Sequence, residues 1–111
     1  MFQIETISAK MLDYFVGRND SVIIDLRSRD KYEKSHIKGA LNYPYEDEET
    51  FEHFLSAGFP KGKLFIFYCD RGGASMKAAK RFAAKGHRTR SVIGGFEAYR
   101  GRNLVISGQV W

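Results

Sequence analysis

Five consecutive apolar residues, Leu64-Phe65-Ile66-Phe67-Tyr68, run directly into Cys69-Asp70-Arg71-Gly72-Gly73-Ala74-Ser75 and then into a helical pattern. An unbroken apolar run this short is the mark of a strand covered on both faces, as parallel sheets require. The helix behind it is expected from about Ser75 to Lys85. Ala79, Phe82 and Ala83 form its inner face, Lys77, Lys80, Arg81 and Lys85 its outer face, and Gly86 its stop. A strand feeding a helix is half of a crossover, the connection that parallel strands need.

The rest of the chain repeats that alternation. Phe2 to Ile7 reads as an edge strand, and Ser8 as the cap of a helix with Met11, Leu12, Phe15 and Val16 on one stripe, stopped by Gly17. Val22-Ile23-Ile24 is a second buried strand, and Ser28 or Asp30 starts a short helix through Lys34. Ala40-Leu41-Asn42 reads as a brief strand closed by Pro44. The acidic run Glu46-Asp47-Glu48-Glu49 suits a helix N-terminus. Phe51, Phe54 and Leu55 continue that helix until Gly58 and Pro60. Ser91-Val92-Ile93 is the last core strand, and Gly94-Gly95 turns into a short helical piece, Phe96 to Arg100. Leu104-Val105-Ile106, in the tail from 103 to 111, receives no assignment. The expected architecture is α/β: a central, mainly parallel sheet of about five strands with helices on both faces, formed by residues 1–111 as one domain.

Composition fits this reading. A chain of 111 residues, 43% hydrophobic and 14% aromatic, is too apolar for disorder and buries roughly two-thirds of its unfolded surface. No apolar run approaches the ~20 residues of a membrane span, and no basic-then-apolar leader opens the sequence. A single cysteine makes no internal disulfide. The expectation is a cytoplasmic protein with no membrane partner. The net charge of +5 is unevenly spread: residues 1–55 carry seven Lys/Arg against eleven Asp/Glu, and residues 56–111 carry eleven against two. The second half should attract anions, although a solvated basic surface explains the imbalance more simply. No nucleic-acid motif accompanies it, so no nucleic-acid partner is expected.

The chemistry concentrates at Cys69. A cysteine at the carboxyl end of a parallel strand lies where open α/β sheets place their ligand crevice. Gly72 and Gly73 permit the sharp turn that aims successive backbone N–H groups inward as an anion nest, and the helix start adds partial positive charge. Together these favour thiolate over thiol. Arg71 adds a cation and Asp70 opposes it. A free cysteine is more often a small buried hydrophobe, but a packing cysteine has no need of a double-glycine turn behind it.

The chain resembles the single-domain rhodanese (thiosulfate sulfurtransferase-like) family. An Asp-x-Arg strand end, a Tyr and a His-Ile-x-Gly-Ala-x-Asn-x-Pro stretch are matched by Asp25, Arg27, Tyr32, His36-Ile37, Gly39-Ala40, Asn42 and Pro44. A Cys-x-x-Gly loop entering an Ala-rich helix is matched by Cys69, Gly72 and Ser75 to Ala79. The closing Gly-Gly-aromatic element is matched by Gly94-Gly95-Phe96 and Tyr99. The likeness runs from about residue 22 to 100. Ser35, Ala74 and Tyr99 depart from the usual Gly, hydroxyl or Arg, and Trp. The absent side-chain donor at Ala74, and Asp70 beside the sulfur, bear on which donor is used.

The resemblance implies a three-layer α/β domain and an enzyme that moves a sulfane sulfur from a small anionic donor such as thiosulfate to a thiol or cyanide. Cys69 would be the catalytic nucleophile carrying a persulfide, and Asp70, Arg71, Gly72, Gly73, Ala74 and Ser75 the substrate-binding loop, with no metal and no cofactor. An alternative is a sulfur-relay or binding module serving a specific protein acceptor. A cysteine phosphatase or arsenate reductase ranks lower, because such loops place Arg six residues after the Cys to fork onto a tetrahedral oxyanion, and Ser75 stands there. Asp25 and Arg27 are read as turn-holding support and His36 as a loop-fixing residue. His53 and His87 are read as surface residues, and three scattered histidines make no metal site.

Overall fold

The computed structural model describes residues 4–107. The chain alternates as the apolar runs require: β1 (Glu5–Ser8), a 3₁₀ turn (Ala9–Met11), α1 (Leu12–Phe15), β2 (Ser21–Asp25), α2 (Arg29–Lys34), β3 (Ser35–Ile37) and β4 (Leu41–Asn42). There follow α3 (Glu48–Leu55), β5 (Leu64–Tyr68), α4 (Gly73–Ala84), β6 (Arg88–Ile93), a second 3₁₀ turn (Phe96–Ala98) and β7 (Leu104–Ile106). Five strands form one sheet in the order β1-β6-β5-β2-β4, and every pairing in it is parallel. The fold is α/β.

The sheet has two covered faces because side chains alternate along each strand. On β5, Leu64, Ile66 and Tyr68 join one apolar cluster with Leu12, Ile37, Val92 and Tyr99. Phe65 and Phe67 point the other way, into a cluster with Phe51 and Phe54 of α3 and Ala78, Ala79 and Phe82 of α4. Phe82 is the hub of that second layer, with ring centroids 5.0 Å from Phe54 and 5.1 Å from Phe67. All five β5 residues are buried, which is why an unbroken apolar run was needed there.

Several local expectations change in three dimensions. α4 begins at Gly73, two residues before Ser75, because Gly72 adopts φ +119° as its N-cap and lets the helix start immediately. Ser8 adopts a capping backbone conformation, but its side chain makes no cap hydrogen bond. The first helical stripe loses Met11, which is 46% exposed, and β6 loses Ile93, which is 60% exposed; in both cases the neighbouring Leu12 and Val92 take the core position. The edge strand read from Phe2 is described from Glu5 onward; residues 1–3 lie outside the described residues. The unassigned Leu104–Ile106 pairs antiparallel with β3, which sequence reading did not foresee, joining His36 to Val105 and Ile37 to Leu104. This small ribbon holds the turn between β3 and β4 against the first apolar cluster, to which Leu104 adds its side chain.

Candidate active site at the end of β5

β2 and β5 lie side by side in the sheet, with Asp25 opposite Tyr68, so their carboxyl ends deliver the chain to one place. Leu26 N–H donates to the Tyr68 carbonyl at 2.8 Å, carrying the pairing one step beyond the strands. Cys69 follows at once. Its side chain is mostly enclosed, with 7% of its surface exposed, and Gly72 N–H donates to its Sγ at 3.0 Å. The loop thus curls back so that a main-chain amide addresses the sulfur. The first-turn amides of α4, beginning at Gly73, have no acceptor within the helix and lie at its positive end.

The outer side of the loop is fastened by main chain. The Cys69 and Asp70 carbonyls accept from Phe96 N–H (2.8 Å) and Glu97 N–H (3.1 Å) in the second 3₁₀ turn. Gly95 makes this approach possible. Its φ of +58° is open mainly to glycine, and a Cβ there would collide with the carbonyl oxygens of Cys69 and Asp70.

Cys69, Asp70, Arg71, Gly73 and Ala74 line one cleft of about 850 Å³, which also takes in Arg27, Lys31, Tyr45 and Glu46 on its other walls. The two charged loop residues turn outward to partners from elsewhere in the chain. Asp70 Oδ2 lies 2.9 Å from Lys31 Nζ on α2, and Arg71 Nε lies 3.0 Å from Glu97 Oε2. Gly72 reaches the sulfur through its amide. Ser75 sits behind the loop with its side chain fully buried; its hydroxyl donates to the Gly72 carbonyl at 2.9 Å and shares a 2.7 Å hydrogen bond with Ser91 of β6. It pins the turn to the sheet. Lys31 and Glu97 carried no sequence signal, since they meet the loop across 39 and 26 residues. Glu46 and Asp47 were read only as a helix start; Asp47 does cap α3, accepting Thr50 N–H at 3.1 Å.

Beneath the cleft, the end of β2 carries a buried polar hub. Asp25 is fully buried and Arg27 nearly so. The Asp25 carboxylate accepts from Arg27 N–H (2.9 Å), Arg27 Nη2 (2.7 Å) and Tyr68 O–H (2.6 Å). Tyr68 Oη in turn accepts from Ile37 N–H at 3.1 Å, and Arg27 Nη2 also donates to the Ser35 carbonyl at 2.6 Å. Asn42 Nδ2 donates to the carbonyls of Asp25 and Arg27. Burial and the Asp25 carboxylate push the Tyr68 hydroxyl far above the usual phenol range, so it remains a donor. Burial alone would lower the Arg27 guanidinium, but its hydrogen bonds and attraction to Asp25 raise it instead. The guanidinium also lies over the Phe96 ring, 3.9 Å from its centroid, linking the hub to the turn that fastens the Cys69 loop. Asp25 and Arg27 are the turn-holding support that their spacing suggested.

His36 stacks on Tyr32 with centroids 3.7 Å apart, and its Nδ1 donates to the Tyr32 carbonyl at 2.7 Å, which fixes the turn after α2. His53 is exposed on α3. His87, read as a surface residue, is half-buried: its ring packs against Phe65 and Phe82, and its Nδ1 is buried without a partner. Burial, then Lys61 and Lys85, holds its pKa below the ordinary value. Among the described residues no three His, Cys, Asp or Glu side chains are grouped to hold a metal, and no helix is long and apolar enough to cross a membrane.

A family model of the rhodanese-like domain matches residues 8–102. The thiosulfate sulfurtransferase GlpE of Coxiella burnetii is 33% identical over 86 residues, 77% of this chain and 77% of that protein. A tRNA sulfurtransferase of Desulfurococcus amylolyticus is 32% identical over 81 residues, 73% of this chain; the match spans 15% of that protein's length. Among solved structures, a rhodanese-like domain protein from Staphylococcus aureus superposes with a TM-score of 0.76 at 20% identity, covering 95% of this chain and 100% of that one.

Proposed function

The chain belongs to the rhodanese-like domain family, and from that premise we propose that it transfers a sulfane sulfur through a persulfide on Cys69. The observation that carries the reading is the Gly72 amide aimed at the Cys69 sulfur, 3.0 Å away, at the wall of an open cleft. A main-chain N–H aimed at Sγ is placed to donate to the negative charge of a persulfide carried there. Relatives named as sulfurtransferases support the same chemistry.

In the first half-reaction the Cys69 thiolate attacks the outer sulfur of the donor. The Sγ–S bond forms as the donor's S–S bond breaks, and the leaving group takes that bond's electron pair; from thiosulfate it departs as sulfite. In the second, a nucleophilic acceptor attacks the same sulfur and the Sγ–S pair returns to Cys69. Cyanide would leave as thiocyanate, and a thiol acceptor as a persulfide. Splitting the transfer through a covalent carrier replaces one difficult encounter with two easier ones. Gly72, Gly73 and Ala74 contribute main-chain amides in this scheme, Ser75 positions the turn, and Asp70 and Arg71 border the entrance. Cys-phosphatase chemistry loses its anion fork, since the buried Ser75 occupies the position where the Arg would be.

Thiocyanate release from a panel of sulfur donors and cyanide tests the proposal. Turnover should fall to background in Cys69→Ser. Equal turnover by that variant would refute a Cys69 carrier. A sulfur relay to a protein acceptor would instead load Cys69 stoichiometrically while small acceptors discharge it slowly.

A further inference from the structure

The cationic side chains bordering the cleft are Arg27, Arg29, Lys31 and Arg71, and each is matched to a carboxylate. Arg27 pairs with Asp25 at 2.7 Å, Arg29 with Glu33 at 3.3 Å, Lys31 with Asp70 at 2.9 Å and Arg71 with Glu97 at 3.0 Å. Glu46 and Asp47 border the same cleft and bring two more carboxylates. Among the described residues at the entrance every cation is therefore paired, and Glu46 and Asp47 leave a surplus of negative charge.

Part of the chain's overall +5 lies at the opposite end of the sheet. Lys63 and Arg88 stand at the amino ends of β5 and β6, whereas Cys69 follows the carboxyl end of β5. Five strand residues span roughly 16 Å, about two Debye lengths at physiological ionic strength. A dianion approaching the loop amides passes Glu46 and Asp47, the two lining carboxylates without a cation partner.

Building on the sulfur-transfer reading above, we propose that Asp70 is a specificity-determining residue, cancelling Lys31 and turning the cleft toward sulfur donors without net negative charge, above all persulfides bearing an ammonium group. With such a donor the Cys69 thiolate attacks the outer sulfur of R–S–SH. The Sγ–S bond forms, the donor S–S bond breaks, and the thiol departs as R–S⁻ with the bonding pair, leaving Cys69–S–SH. Glu46 and Asp47, the two carboxylates left without a cation, would meet the ammonium group. Thiosulfate would remain a usable but poor donor, because its two negative charges approach an entrance already negative.

The test compares sulfur loading of the purified protein by thiosulfate and by cysteamine persulfide, in wild type, Asp70→Asn and Lys31→Met. Asp70→Asn frees Lys31 and removes a carboxylate, so the ratio of kcat/KM for thiosulfate to that for cysteamine persulfide should rise about three- to tenfold. Lys31→Met leaves Asp70 uncompensated and should move the same ratio downward. Both shifts should shrink in 1 M salt, where the Debye length is about 3 Å. A general disturbance of the loop would lower both donors together in both variants; that result, or a ratio unmoved by Asp70→Asn, overturns the inference. If neither donor nor any other loads wild-type Cys69, the sulfur-transfer reading itself fails, which is a separate result.

Discussion

The carboxyl ends of β2 and β5 are neighbours in one sheet, yet they hold charge by opposite means. At the end of β2, a carboxylate and a guanidinium are taken out of water and held mainly by side chains: Asp25 receives the Arg27 guanidinium and the Tyr68 hydroxyl, and Arg27 adds a bond to the Ser35 carbonyl. At the end of β5, the Cys69 sulfur is addressed by a main-chain amide, while the loop's charged side chains turn outward to Lys31 and Glu97. The first arrangement depends on the identity of each side chain. The second depends on backbone shape, and tolerates Ala74 and Asp70 at positions facing the cleft. The difference separates rigidity from chemistry: the β2 end holds the floor in place, and the β5 end is free to vary its rim and with it the substrate.

The comparison breaks most visibly at the floor. Asp25→Ala leaves Arg27 buried without its partner and should cost about 3–5 kcal/mol in urea unfolding. A loss under 1 kcal/mol would mean that the hub does not hold the floor. Next in size is Gly95→Ala. The left-handed backbone costs ~1–3 kcal/mol in itself, and the new Cβ strikes the Cys69 and Asp70 carbonyls. Sulfur loading should drop more sharply than stability, since the loop must move to make room; unchanged loading would show that the main-chain fastening is dispensable.

Tyr68→Phe tests the same floor more gently. It removes one donor to Asp25 and one acceptor from Ile37 N–H, with an expected loss of about 1–2 kcal/mol at pH 7. The folded Tyr68 hydroxyl is held above its ordinary value of 10.0, first by burial and then by Asp25. Its contribution is therefore complete below about pH 10 and is lost as pH rises beyond that. Wild type should destabilise with a steeper alkaline slope than Tyr68→Phe, read from urea midpoints between pH 9 and pH 11. Parallel slopes would exclude Tyr68 as a source. Smallest of all is Ala74→Ser at the rim, expected to shift stability by less than about 0.5 kcal/mol while changing the rate of sulfur loading.

These two regions were not equally legible in the sequence. The floor announced itself through Asp25 and Arg27, whose pairing is local: a carboxylate folding back on the residue two positions later needs no knowledge of the rest of the chain. The nest was legible through Gly72, whose backbone freedom is a property of the residue itself. β3 stayed hidden because Ser35 and His36 carry no strand signal and draw their pairing from β7, some seventy residues onward. The rim stayed hidden for the same reason, since Lys31 and Glu97 reach the loop only through tertiary approach. His87 looked like a surface residue after a helix stop, yet Phe65 and Phe82 supply it with an apolar bed. Local chemistry was readable; distant partnership was not.

Intact mass of the protein, taken after incubation with thiosulfate or a persulfide donor and again after cyanide, addresses the carrier role of Cys69 most directly. A gain of one sulfur atom is expected, absent in Cys69→Ala and removed by cyanide with release of thiocyanate. A protein that gains no sulfur from any donor, or gains it equally without the Cys69 thiol, would contradict that role.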